Sequence, residues 1–125
     1  NHDRSDVPAI LFLCLGNICR SPLAEGAARA AFAEAGIAGR LDSAGTGDWH
    51  VGKAPDPRAQ AEARRRGTDI GALCARQLVV ADFRRFDLIL AADTQNLRDA
   101  RAIRPSDATA QLMLMLDLVP GRAGE

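Results

Sequence analysis

No tyrosine occurs among the 125 residues, and aromatic side chains make up only 4% of them. Control by phosphorylation of a tyrosine within this sequence is thereby excluded. Long apolar runs are missing too. Val7–Leu15 and Gln111–Val119 are the longest, well short of the roughly 20 residues that a membrane-spanning helix needs. Asn1–Asp6 is polar and mixed in charge, with no apolar segment of a secretory signal behind it. A soluble, cytoplasmic protein without a membrane partner is expected, and export by a signal-free route stays open. Net charge is zero, with 16 basic against 16 acidic residues, so no global field draws the chain to nucleic acid or anionic lipid. Cysteine is scarce and odd in number, at three, which argues against a disulfide framework. Cys14, Cys19 and Cys74 have no C-x-x-C spacing, and His2 and His50 are distant from them in sequence, so a structural zinc site is not expected. No metal or other cofactor is expected. Lysine occurs once, as Lys53. Together with abundant alanine, this fits the coding bias of a GC-rich genome.

What is present is a 47% apolar composition on a length that suits one domain with one modest core. Ala9–Leu13 is a continuous apolar run ending at Cys14, the pattern of a buried parallel strand. Gly16 and Asn17 break it, and both residue types tolerate positive φ. Pro22 suits the first turn of a helix, and Leu23–Ala35 favours helix up to Gly36. Leu41–Ala44 fits a short second strand, followed by a long Gly-, Pro- and Asp-rich loop over Gly45–Pro57. Asp56-Pro57 opens a second helix that runs through Arg66 to Gly67. Arg64, Arg65 and Arg66 then form a solvated helix end, where cations complement the dipole, with substrate steering as the alternative. Leu78–Val80 is too short to assign. Asp87–Ala92 reads as a third strand, Thr94–Ile103 as a helix capped by Thr94 or Asp93, and Gln111–Leu116 as a fourth strand. Strands alternating with helices imply a parallel α/β sheet with right-handed crossovers. No covering helix follows the fourth strand, so a chain incomplete at its C-terminus is expected.

The chemistry concentrates in Cys14-Leu15-Gly16-Asn17-Ile18-Cys19-Arg20-Ser21-Pro22: a cysteine, five residues, then arginine and serine. A buried strand leads into it, a helix start follows, and glycine lies between. In that setting successive backbone N–H groups turn inward as an anion nest at a helix N-terminus, and the same positive field stabilises a thiolate. Arg20 would grip two phosphoryl oxygens with its planar fork, which lysine cannot do. Ser21 would donate to the sulfur and help it leave. These parts suit in-line attack by Cys14 on a phosphoryl group, a cysteinyl-phosphate intermediate and its hydrolysis by water. The bland alternative makes Cys14 a buried strand-end thiol and Arg20 a surface residue, but it leaves Gly16, Asn17, Ser21 and Pro22 without a common reason.

At this point the sequence resembles the low-molecular-weight protein tyrosine phosphatases, whose hallmark loop C-x-G-N-I-C-R-S-P is matched throughout Cys14–Pro22. The resemblance continues in Asp42-Ser43-Ala44-Gly45-Thr46, Trp49-His50-Val51-Gly52 and Pro55-Asp56-Pro57-Arg58. It also covers Ala75-Arg76-Gln77 and Asp93-Thr94-Gln95-Asn96-Leu97, and so spans Ile10 to about Leu116 within a single domain. It implies a Rossmann-like three-layer α/β/α sandwich on a four-stranded parallel sheet of order 2-1-3-4, without the C-terminal helix. Cys14 would be the nucleophile and Arg20 the phosphate clamp. Leu15, Gly16, Asn17, Ile18 and Cys19 would form the phosphate loop. Asn17 would be left-handed and hydrogen-bonded to Ser43, and Ser21 would tune the sulfur. Cys19 would pair reversibly with Cys14 under peroxide, or simply fill space. Trp49 would wall the cleft and stack on a phenyl phosphate, or else anchor its loop. His50 reads as a surface residue. Asp93 would lie near the phosphate loop, although a helix cap explains it equally well.

Two departures stand out. Cys74 takes the place of a histidine common before Ala-Arg-Gln, and is expected to be a buried filler. The Asp-Pro-aromatic motif, whose Asp protonates the leaving group, is absent; Asp117 is a poor substitute, and the general acid is expected beyond Glu125. The implied partners are phosphotyrosine-containing proteins, with inorganic phosphate or other oxyanions as product or inhibitor, and the protein would act as a monomer. Arsenate reduction on the same fold is the main alternative, yet Leu90–Leu97 lacks the relay cysteines it needs. A non-catalytic phosphate- or phosphopeptide-binding module is the other.

Overall fold

The apolar run near the N-terminus forms strand β1, Ala9–Cys14, in the computed structural model, which describes residues 8–18, 20–47 and 51–115. β1 pairs in parallel with β2 (Arg40–Gly45) on one side and with β3 (Leu88–Ala91) on the other. β4 (Gln111–Leu114) extends the sheet beyond β3, giving the order β2-β1-β3-β4. The register sets Cys14 opposite Gly45 and Leu13 opposite both Ala44 and Ala91. The carboxyl ends of three strands therefore finish side by side, where open α/β sheets place their ligand crevices.

Side chains alternate across the sheet, as the period of a strand requires. Leu11, Leu13, Ile89, Ala91 and Leu114 face one layer, packed with Phe83, Phe86 and Ala100. Phe12, Leu41 and Leu90 face the other, against Ala24, Ala28 and Phe32. The first layer belongs to α3 (Asp82–Arg85) and α4 (Thr94–Ile103), the second to α1 (Arg20–Ala35). The three-layer α/β/α arrangement follows. α2 (Pro57–Arg65) lies outside this sandwich and buries Ala59 and Ala63 with Ile70 and the α1 residue Leu23. Fully burying a side chain the size of Ile70 contributes about 1.5–3 kcal/mol, and each alanine methyl about 0.8 kcal/mol.

Local chemistry explains the helix boundaries. Asp56 caps α2 by accepting the Arg58 N–H, Pro57 occupies the first position, and Gly67 follows the helix with a φ of 86°, a conformation costly for a side-chain-bearing residue. Asp93 caps α4 through the Asn96 N–H at 2.8 Å. α1 starts at Arg20, three residues earlier than the propensities suggest, because the loop winds straight into it and Pro22 falls in the first turn, where no intrahelical N–H bond is lost. The β-strands are slightly shorter or longer than read from sequence at their ends: Arg40 and Gly45 join β2, and β4 ends at Leu114.

Cys74 is a correction: the thiol is exposed rather than buried. Its neighbours take the inward places, with Ala75 only 4% exposed and Leu73 packed against the Ala59–Ala63–Ile70 cluster. Among the described residues, no helix is long and apolar enough to cross a membrane.

Candidate active site

β1 delivers Cys14 to the sheet edge, and the chain turns through Leu15–Ile18 before α1 begins at Arg20. Asn17 makes this turn possible. Its φ is 57°, the one positive value for a non-glycine among the described residues. Asparagine accepts this region when its short side chain finds local hydrogen bonds. Here the Asn17 amide donates through Nδ2 to the Ser43 carbonyl at 3.4 Å and accepts at Oδ1 from the Ser21 hydroxyl at 2.7 Å. The carbonyl partner fixes which end of the amide is nitrogen.

Two contacts converge on the Cys14 sulfur. The Asn17 N–H donates to Sγ at 3.2 Å, and Ser21 Oγ lies 3.0 Å away. Cys14 itself is 3% exposed. Ser21 has one hydroxyl proton, so it can donate to Asn17 or to the sulfur but not fully to both.

The outer side of the loop is pinned by backbone groups. Thr46 and Gly47 donate to the carbonyls of Cys14 and Leu15 at 2.9 and 2.8 Å, and Asp56 donates to that of Ile18 at 2.7 Å. In a trans peptide the next N–H points opposite to the carbonyl. The amides of Leu15 and Gly16 are therefore turned away from these partners, the orientation an anion nest requires. Gly45 lets β2 come this close. A Cβ there would lie 2.7 Å from the Leu15 carbonyl oxygen and 3.1 Å from the Asn17 nitrogen. Gly45 is held in turn by the Arg76 carbonyl and by the Leu78 N–H. Arg76 bridges Asp42 and the fully buried Asp82, with nitrogen–oxygen distances of 3.0 Å to each.

Arg20 stands at the rim, its side chain 54% exposed, with Nη2 3.1 Å from Asp93 Oδ2. The Asn96 N–H, assisted by Arg20, holds the Asp93 carboxyl below the usual carboxylate range despite partial burial. Leu15 is exposed on the same rim, and Gly16 and Ile18 are half-buried.

Cys14, Asn17, Ser21 and Ser43 thus form one connected cluster, and Arg20 with Asp93 stands at its mouth. Cys19, Trp49, His50 and Asp117 lie outside the described residues. Sequence reasoning missed three contributors: Gly45, the Arg76–Asp82 tie, and Glu25, which accepts the Ser43 hydroxyl. A glutamate one helical turn after Ser21 was the available signal for the last. No group of three or more His, Cys, Asp or Glu side chains that could hold a metal exists among the described residues.

The sequence model of the family "Low molecular weight phosphotyrosine protein phosphatase" matches residues 9–125. A relative of that name from Schizosaccharomyces pombe is 45% identical over 108 residues, covering 84% of this chain and 69% of the relative. The low molecular weight protein-tyrosine-phosphatase YfkJ of Bacillus subtilis is 40% identical over 113 residues, covering 89% of this chain and 72% of the relative. The crystal structure of YfkJ superposes with a TM-score of 0.87, covering 92% of this chain and 74% of that one at 38% identity.

Proposed function

The chain belongs to the low molecular weight phosphotyrosine protein phosphatase family, and on that premise we propose that it hydrolyses phosphotyrosine in proteins, and small aryl phosphates, through a cysteinyl-phosphate intermediate on Cys14. The reading is carried by one observation: the Cys14 sulfur is met by the Asn17 N–H and the Ser21 hydroxyl beneath a loop whose carbonyls are turned outward.

In the proposed reaction the Cys14 thiolate attacks phosphorus in line with the leaving phenolic oxygen. A P–S bond forms as the P–O bond to the ring breaks, and the departing oxygen takes a proton from solvent water. Arg20 leaves Asp93 and grips two equatorial oxygens, while the loop amides bind the rest of the charge. Water then attacks phosphorus, the P–S bond breaks, and inorganic phosphate departs as the Ser21 hydroxyl stabilises the returning thiolate. Asp93 is unsuited to donate the proton, because Asn96 and Arg20 favour its ionised form. Stacking of the Trp49 ring on a phenyl phosphate, the role the family resemblance implies for it, would favour that substrate over the shorter phosphoserine. Inorganic phosphate and similar oxyanions act as product inhibitors. A cytoplasmic monomer acting on phosphotyrosine proteins belongs to the same reading.

The test uses p-nitrophenyl phosphate, whose leaving group is good enough to depend little on a proton donor. Hydrolysis that disappears in Cys14→Ser, with phosphate still bound, supports the assignment. Hydrolysis that survives this substitution overturns it. Phosphate binding without turnover, even at high protein concentration, supports a binding module instead.

A further inference from the structure

Glu25 is 1% exposed, one turn beyond Ser21 on α1. A carboxylate taken out of water needs a cation and a full set of donors. Glu25 has both. Arg29 Nε donates to Oε2 at 2.8 Å, Arg29 Nη2 lies 2.6 Å from the same oxygen, and the Ser43 hydroxyl donates to Oε1 at 2.7 Å. Arg29 is oriented by a second anchor, because its Nη2 also donates to the Leu41 carbonyl at 2.6 Å. Leu41 and Ser43 lie on the same face of β2, two residues apart.

The contacts continue inward through the backbone of Ser43, whose hydroxyl faces Glu25 and whose carbonyl faces Asn17. The Ser43 backbone carbonyl, not the hydroxyl that Glu25 holds, accepts from the Asn17 side chain, Asn17 accepts from Ser21, and both Asn17 and Ser21 meet the Cys14 sulfur. A half-exposed guanidinium on the outside of α1 is thereby joined to the reactive sulfur through Glu25, Ser43 and Asn17. An ordinary i, i+4 ion pair on a helix contributes little. This one differs because its acceptor is buried and because the acceptor's other oxygen is committed to the strand that holds the loop.

We propose that Arg29 is a positioning residue of the oxyanion loop: by neutralising and orienting the buried Glu25 it sets the Ser43 contact that keeps Asn17 left-handed beneath Cys14. The inference rests on the phosphatase reading of the same loop. Spatial continuity alone does not establish coupling, and a double-mutant cycle measures it.

The cycle combines Arg29→Met with Asn17→Ala in the full chain. Inorganic phosphate affinity is read by titration calorimetry, kcat and KM with p-nitrophenyl phosphate, and folding by thermal melting. Arg29→Met is expected to weaken phosphate binding and lower kcat/KM by about 10-fold. In the Asn17→Ala background, where the link is already cut, the same substitution changes both by less than about twofold. Arg29→Lys, which keeps the charge but offers no planar fork, recovers part of the loss. Equal losses in both backgrounds overturn the inference, as does an Arg29→Met enzyme indistinguishable from the parent. If Arg29→Met does not fold, the Arg29→Lys cycle with Asn17→Ala gives the same discrimination from its smaller loss. Hydrolysis that survives Cys14→Ser overturns the phosphatase reading alone, since the phosphate titrations still report the coupling. A parent that binds no phosphate overturns both.

Discussion

Arg20 and Asp93 meet at 3.1 Å across the gap between the first turn of α1 and the cap of α4. The two helix N-termini that converge on the site share one carboxylate. One oxygen of Asp93 holds the α4 backbone through Asn96, and the other holds the guanidinium. Both positive helix ends and the arginine favour the ionised acid. Asp93 therefore reconciles the two explanations that the sequence offered for it, a helix cap and a neighbour of the phosphate loop.

A pH dependence follows from this arrangement. Asp93 titrates below the usual carboxylate range, chiefly because the Asn96 N–H bonds its charged form and secondarily because of Arg20. A group whose folded value is depressed stabilises the fold above its unfolded value, about 3.9 for aspartate, and that contribution disappears as pH falls through the lower folded value. The Arg20 pair is largely exposed and contributes under about 1 kcal/mol; the cap adds about 1 kcal/mol. Asp93→Asn keeps a capping acceptor and loses the charge. Its melting temperature is expected to lie within a few degrees of the parent at pH 7, with a shallower decline below about pH 4. Melting curves from pH 2 to 7 check this, and identical acid limbs in both proteins contradict it.

The exposed Cys74 gives a separate expectation. The thiol is outside the hydrogen-bonded cluster around Cys14, so Cys74→Ser should leave kcat and KM within about twofold of the parent. Alkylation by iodoacetate should inactivate both proteins at the same rate, and inorganic phosphate should slow that inactivation in both. Mapping the modified residues by mass checks the assignment. Cys74 should label whether or not phosphate is present, whereas Cys14 should label only without it. Loss of activity on modification of Cys74 alone would place it closer to the reaction than its exposure implies.

Much of this arrangement is legible in the sequence itself. α2 and α4 could be bounded closely because Asp56-Pro57, Gly67 and Asp93-Thr94 are local signals that act within one turn of chain. β1 and the loop after it were readable for the same reason. α3 was not. It is four residues long, too short for helical periodicity, and it exists because Asp82 accepts the Val79 N–H while Phe83 fills the core. Cys74 was misplaced because the segment around it has no regular period to say which side chains point inward. Glu25 was overlooked because a glutamate in a helix normally faces water. Its burial depends on Ser43, which is 18 residues away in sequence.

Gly45 supplies the sharpest test of how the loop is built. Its place on β2 is fixed by pairing with Cys14 and by bonds to Arg76 and Leu78, so it cannot move aside freely. A methyl group at Gly45 would press on the Leu15 carbonyl oxygen at 2.7 Å and the Asn17 nitrogen at 3.1 Å. Both are backbone atoms, so relief requires the loop itself to shift by several tenths of an ångström. Overpacking of this kind costs about 1–3 kcal/mol of stability, and misplacing catalytic groups by about 1 Å can cost 10²-fold in rate. Gly45→Ala is therefore expected to lose about 10- to 100-fold in kcat/KM while still melting cooperatively. Kinetics with p-nitrophenyl phosphate beside a urea titration separate the two effects. A variant with parental kcat/KM would show that the loop tolerates displacement, and that the close approach of β2 at Gly45 does not set the anion nest.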